Sequence, residues 1–295
     1  MEPRLPFALP RIGRALLLMF VAVSSAWMVS ARTVPDIEYA IVDGISLRLD
    51  LYLPDEPLAA PVPLVLWIHG GAWISGDKRP TSAPEVLGPR YAVASIDYRL
   101  AQQAPFPAQI HDCKAAVRWL RAHAGEYGFD PDRIGAWGAS AGGHLAALLG
   151  TSGGVPALEG PVGDCLGIAS RLPAVCDFFG PTDLLTLADP TGEVDLDAAY
   201  SPVGRLLGGP RAERPLLAQW ASPITHVDPS DPPFLIVHGD ADLVVPYGQS
   251  VALHHALLNA GVDASLHLVS QGGHGGFPTF VDDLVRAFFE RTLTP

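Results

Sequence analysis

The chain has 295 residues, 48% of them apolar and 17% charged, and 19 Lys and Arg against 31 Asp and Glu leave a formal charge of −12 at pH 7. That apolar share excludes a disordered chain, and the 30 Gly and 29 Pro, spread without a period, suit a loop-rich enzyme rather than a fibre. The negative balance argues against nucleic-acid or anionic-membrane partners, because phosphate binding draws its affinity from Lys and Arg.

In chain order, Arg4, Arg11 and Arg14 precede an uncharged apolar run over 15–29, and Val29-Ser30-Ala31 supplies the small residues of a cleavage site. The expected organisation is a signal peptide over 1–31, cleaved after Ala31, followed by one domain over 32–295 in a secreted or periplasmic protein. An uncleaved N-terminal anchor is the rival reading. A transmembrane helix needs about 20 apolar residues, and this run is shorter. No stable membrane span is expected once the leader is removed.

Ile37 to Ile41 and Leu47 to Tyr52 alternate in polarity around Asp43-Gly44, the pattern of an antiparallel hairpin with one wet face. From Leu64 the pattern changes. Continuous apolar runs over 64–68, 91–96, 134–137, 174–179 and 234–237 suit central strands covered on both faces. Helical stretches are expected over 107–124, 141–150, 247–260 and 280–291, with an alternating strand over 264–269. Strand followed by helix, repeated, predicts an α/β chain built on a mostly parallel, doubly wound sheet with helices on both faces. Segment 181–226, rich in Pro, Gly and Leu, contains no clear strand and reads either as a small helical excursion or as a long crossover.

Export changes the reading of three cysteines. Cys113 falls in the stripe Phe106, Ile110, Cys113, Val117, Leu120 and is expected on the buried face of a helix. Cys165 and Cys176, eleven apart, are expected to form one disulfide. A metal site is not expected, because no Cys-x-x-Cys or clustered His spacing accompanies them.

Gly138-Ala139-Ser140-Ala141-Gly142 matches G-x-S-x-G, with a strand before it and a helix after it. A serine on so sharp a reversal occupies a strained backbone, and side chains two residues to either side would collide. The helix start also places the Ala141 N–H beside the serine oxygen. A hydroxyl is a poor nucleophile until a base takes its proton. Among ten histidines, His274 in the loop Gln271-Gly272-Gly273-His274-Gly275-Gly276 is placed to reach over the carboxyl edge of the sheet. His144, one helical turn past Ser140, is assigned a structural role. His254 and His255 read as surface or packing residues, and His226, His238 and His267 as core or edge histidines. Asp242, after the strand ending in His238-Gly239-Asp240-Ala241-Asp242, is the better third member, since Asp240 sits in the tight turn. The order Ser140, Asp242, His274 is that of the α/β-hydrolases. His69-Gly70-Gly71-Ala72-Trp73 follows directly on a strand, and Gly71, Ala72 and Ala141 are the expected oxyanion donors. His69 reads as a loop brace. Trp73 reads either as the floor of a substrate pocket or as a core aromatic.

Together with Asp97-Tyr98-Arg99-Leu100, Phe179-Gly180-Pro181-Thr182-Asp183 and the run from His238 to Pro246, these motifs resemble the HGGxW branch of the α/β-hydrolases. That branch includes the bifunctional feruloyl/acetyl-xylan-esterase-like enzymes and borders the hormone-sensitive-lipase and prolyl-oligopeptidase-like families. The resemblance covers nearly all of 35–293 and implies the α/β-hydrolase fold and carboxylic-ester hydrolysis through Ser140, Asp242 and His274, without cofactor or metal. Hormone-sensitive-lipase relatives carry a third glycine where this chain has Ala72, and a long N-terminal cap that does not precede this sheet. The expected partner is a small-molecule or polymer-borne ester. A prolyl-oligopeptidase-like peptidase, a formamidase-like amidase and a non-catalytic binding protein on the same scaffold are the rival readings.

Overall fold

In a computed structural model the described residues are 31–55 and 60–294. The expected leader lies outside them, apart from Ala31, which opens the first strand. The eight strands are β1 (Ala31–Val42), β2 (Ile45–Pro54), β3 (Val62–Ile68), β4 (Ala92–Ile96), β5 (Phe129–Ala139), β6 (Val175–Phe178), β7 (Phe234–Gly239) and β8 (Ala264–Val269). They form one sheet in the order β1-β2-β4-β3-β5-β6-β7-β8. β1 and β2 pair antiparallel, β2 pairs antiparallel with β4, and the six strands from β4 to β8 along the sheet are parallel. The hairpin turn is built by Asp43 at φ 51° and Gly44 at φ 79°, the two left-handed positions that a type I′ turn requires.

The central strands are apolar on both faces because both are covered. On β3, Leu64, Leu66 and Ile68 face one core while Val65 and Trp67 face the other; on β5, Ile134 and Ala136 oppose Trp137 in the same way. The helices are α1 (Ala83–Leu87), α2 (Ala108–Tyr127), α3 (Ala141–Thr151), α4 (Pro202–Leu207), α5 (Pro215–Trp220), α6 (Gly248–Asn259) and α7 (Phe280–Leu293). Side chains of α2, α3 and α6 fill the first core, those of α1 and α7 the second. Cys113 lies fully buried on the stripe of α2 that faces the first core, with Ile110, Val117 and Leu120. Residues 181–226 contain α4, α5 and short 3-10 turns, and no strand.

The expected disulfide does not form: Cys165 and Cys176 are both free. The sheet itself separates them. Cys176 is buried mid-strand on β6 among Val65, Trp137 and Leu235 in the second core, while Cys165 lies in the loop beside Arg118 of α2, on the other face. Two thiols on opposite sides of a sheet cannot meet the short Cβ···Cβ separation that a disulfide needs.

The order of the strands also fixes where a site can form. The chain leaves β3 toward β4 on one side and β5 toward β6 on the other, so the loops after β3 and β5 part at adjacent strands. Ligands of open α/β sheets bind in the crevice created at such a point.

Candidate active site

Ser140 follows β5 and precedes α3, and its backbone sits at φ 57° and ψ −122°. Such a conformation costs of order 1–3 kcal/mol in a non-glycine residue and persists only where neighbours enforce it. Here they do. The Ser140 amide donates to the Phe178 carbonyl at 2.8 Å, and the Ser140 carbonyl accepts from the His144 amide at 2.9 Å. A Cβ at Gly138 would collide with the backbone of Gly142, and one at Gly142 with the carbonyls of Ile68 and His69. The two glycines therefore let β5, α3 and the end of β3 close on one another, which brings the turn after β3 against the serine.

His274 stands in the loop between β8 and α7. Its Nε2 accepts the Ser140 hydroxyl hydrogen at 2.9 Å, and its Nδ1–H donates to Asp242 Oδ2 at 2.7 Å. The tautomer follows from these partners, since Nδ1 faces a carboxylate. The Phe179 ring lies 4.6 Å from the imidazole, centroid to centroid. Asp242, after β7, is buried, whereas His274 keeps 22% of its side-chain surface. Burial pushes the Asp242 carboxyl up. Hydrogen bonds from His238, His274, Val244 and Val245 outweigh that effect and hold it well below the ordinary carboxylate range. Asp240 does not join this group; it accepts the Gln271 amide hydrogen instead and closes the loop.

The turn after β3 carries two more strained residues, Ala72 at φ 53° and Trp73 at φ 61°. The Gly71 carbonyl accepts from the amides of Ile74 and Ser75, both at 3.0 Å, and the Trp73 carbonyl from Ala101 at 2.7 Å. The Trp73 indole N–H donates to His144 Nδ1 at 3.1 Å, and His144 in turn donates from Nε2 to the Ala221 carbonyl at 2.6 Å. His69 stacks on Tyr98 at 4.3 Å and braces the same turn. The amides of Gly71, Ala72 and Ala141 find no acceptor among the described residues.

Ala72, Trp73, Ser140 and Ala141 line a cavity of about 330 Å³. Its walls are apolar, from Leu187, Leu196, Val203 and Val244, and its rim carries Asp189 and Glu193. Gly71 lies behind this lining. A larger hollow of about 790 Å³ between His111 and residues 153–171 holds none of these groups. Its one carboxylate, Glu159, is engaged by Lys114, Arg118 and Ser170.

The structure thus brings Ser140, His274 and Asp242 into one hydrogen-bonded chain beside free amides. His144 has the structural role expected of it, tying Trp73 to the serine helix. His238, expected only as a core or edge histidine, also reaches Asp242, and its signal was spacing alone, four positions before that residue.

The BD-FAE family model matches residues 49–257. The chain belongs to the BD-FAE family. Its sequence is 34% identical over 251 residues to the esterase LipQ of Mycobacterium tuberculosis, covering 84% of this chain and 58% of that one. It is 33% identical over 213 residues to the probable carboxylic ester hydrolase LipM of the same organism, covering 70% of this chain and 48% of LipM. The chain therefore spans about half the length of these curated relatives. Among solved structures, a truncated carbohydrate esterase from gut microbiota superposes with a TM-score of 0.82 at 36% identity, over 92% of this chain and 99% of that one. Esterase 2 of Thermogutta terrifontis, phosphorylated by paraoxon, gives 0.70 at 28% identity over 90% and 96%. These likenesses place the BD-FAE chain in the α/β-hydrolase fold.

Proposed function

We propose that this protein is an exported serine carboxylesterase that works through an acyl-enzyme on Ser140. One observation carries the reading: His274 accepts from the Ser140 hydroxyl and donates to Asp242 at hydrogen-bonding distances in a single file. In the first half-reaction His274 takes the hydroxyl proton as Ser140 attacks the ester carbonyl. The amides of Ala72, Gly71 and Ala141 receive the oxyanion. His274 then protonates the departing alcohol, and water repeats the sequence to release the acid. Asp242 holds the Nδ1–H tautomer and stabilises the imidazolium that forms twice per turnover.

The esterase relatives support the ester bond as the target, and the small apolar cavity supports a short, uncharged acyl group. The likeness to a carbohydrate esterase makes acetylated sugars the first polymer-borne esters to try. Export rests on the Arg-led apolar leader and its small-residue site at Ala31; a mature chain that still begins at Met1 would overturn it. Ser140→Ala is expected to abolish hydrolysis of a short-chain aryl ester while circular dichroism stays unchanged. Retained turnover in that variant would refute the nucleophile.

A further inference from the structure

His238 is fully buried at the end of β7, four residues before Asp242. Its Nε2 faces two acceptors, the Val245 carbonyl at 2.9 Å and Asp242 Oδ2 at 3.1 Å. A lone pair there would confront two oxygens, so Nε2 carries the hydrogen and shares it between them. Nδ1 is then free to accept the hydroxyl hydrogen of the buried Ser250 at 2.7 Å. The tautomer of this second imidazole is fixed from both sides.

The acceptor that His238 shares is the same oxygen that serves His274. Asp242 Oδ2 receives His274 Nδ1–H at 2.7 Å and His238 Nε2–H at 3.1 Å. The other oxygen, Oδ1, receives the amides of Val244 at 2.7 Å and Val245 at 3.1 Å. Two amides on one oxygen and two imidazoles on the other leave the carboxylate no rotation that keeps all four bonds. Val245 could have satisfied His238 alone. The ring is instead placed where its hydrogen also constrains the carboxylate oxygen that serves His274.

We infer that His238 is a positioning residue that orients the Asp242 carboxylate toward His274. The inference rests on the serine-esterase reading above. Without the His238 donor the carboxylate turns within its turn, the His274 Nδ1–H bond lengthens, and the imidazole spends less time aimed at Ser140. The loss falls on the chemical step, because His238 does not itself line the cavity of Ala72, Trp73 and Ser140 and meets its wall only through the Val245 carbonyl.

The test compares His238→Phe, which fills the ring volume without a donor, with His238→Gln, whose terminal amide carries a donor near the Nε2 position. For a short-chain aryl ester, His238→Phe is expected to lower kcat roughly ten- to hundredfold with KM little changed, and His238→Gln to recover most of the loss. The downfield proton resonance of His274 Nδ1–H, present in wild type and His238→Gln, should shift or broaden in His238→Phe. Ser250→Ala, which removes the hydroxyl partner and keeps the ring, supplies a milder variant should His238→Phe fail to fold, and is expected to lower kcat in the same direction. Wild-type kcat in His238→Phe, equal impairment of the Phe and Gln variants, or unchanged kcat in Ser250→Ala where the Phe variant does not fold, overturns the inference. A fluorophosphonate that fails to label wild-type Ser140 would instead overturn the serine-esterase reading.

Discussion

Trp73 donates its indole N–H to His144 Nδ1 at 3.1 Å, joining the turn after β3 to the helix that begins beside the nucleophile. The bond depends on a neutral imidazole with its hydrogen on Nε2. Burial supplies the first condition, lowering the His144 pKa to about 4, and the Ala221 carbonyl supplies the second. Trp73→Phe keeps the aromatic packing and loses the donor. The amides of Gly71 and Ala72 in that turn should then wander from the oxyanion position, and kcat is expected to fall about tenfold, equivalent to ~1.4 kcal/mol of barrier. Steady-state kinetics on a short-chain aryl ester check this; an unchanged kcat would show that the turn is held without the indole.

Asp177 gives a pH dependence to stability. It is fully buried on β6, one oxygen accepts the Gly180 amide at 3.0 Å, and the other has no partner among the described residues. Burial pushes its pKa up from 3.8 to about 6, against the opposing effects of Gly180 and His238. The folded protein therefore binds a proton that the unfolded chain has already released between about pH 4 and 6. Stability from this group is present at low pH and is lost as pH rises through that window. Asp177→Asn mimics the protonated acid. It should match wild type near pH 4 and exceed it at pH 8 by up to ~3 kcal/mol, the equivalent of a shift of about two units. Urea denaturation at the two pH values decides, and a difference independent of pH would contradict the assignment.

Arg99 and Asp112 form a buried bidentate pair, with Nε to Oδ2 at 2.9 Å and Nη2 to Oδ1 at 2.7 Å, that ties the loop after β4 to α2. Arg99→Met strands the carboxylate and is expected to destabilise by about 3–5 kcal/mol. The double variant Arg99→Met with Asp112→Leu removes both charges and should recover most of that loss. Chemical denaturation of the two single variants and the double variant measures the coupling; additive losses would contradict it.

Cys165 and Cys176 lie on opposite faces of the sheet, so three free thiols are expected when the unreduced protein is denatured and titrated. Reductant should leave the melting temperature within about 1 °C, because no loop closure is being released. A single titratable thiol would contradict this.

The mouth of the site is acidic as well as apolar. Asp189 and Glu193 stand on its rim, and among the described residues no basic side chain lines it. An anionic ester such as a succinyl monoester should therefore show a lower kcat/KM than the butyryl ester of the same alcohol, and the gap should narrow with salt. Equal rates at low salt would refute an electrostatic filter.

Much of this was legible in the sequence, for physical reasons. Asp43-Gly44 announces a type I′ turn because few other pairs accept two left-handed positions, and the runs at 64–68 and 134–137 are continuous because both sheet faces are covered. Ser140 and His274 lie 134 positions apart, yet the fold family's chain order and the glycines around each were enough to single them out. Other features carried no local signal. α4 and α5 are six residues each and begin at Pro202 and Pro215 with little periodicity, so their segment reads equally as a helical excursion or a long crossover. His238 looks like any core histidine until the turn after β7 folds Asp242 back onto it. The cysteine pair misled because spacing along the chain does not reveal which face of a sheet a side chain takes.

The central claim is a covalent one, and the most direct measurement is capture of the intermediate. Rapid mixing of the protein with excess p-nitrophenyl acetate should release a burst of nitrophenol equal to one per chain, and acid quenching followed by peptide mass mapping should find the acetyl group on Ser140. Acetyl on another residue, or steady turnover with Ser140 never modified, would contradict the account.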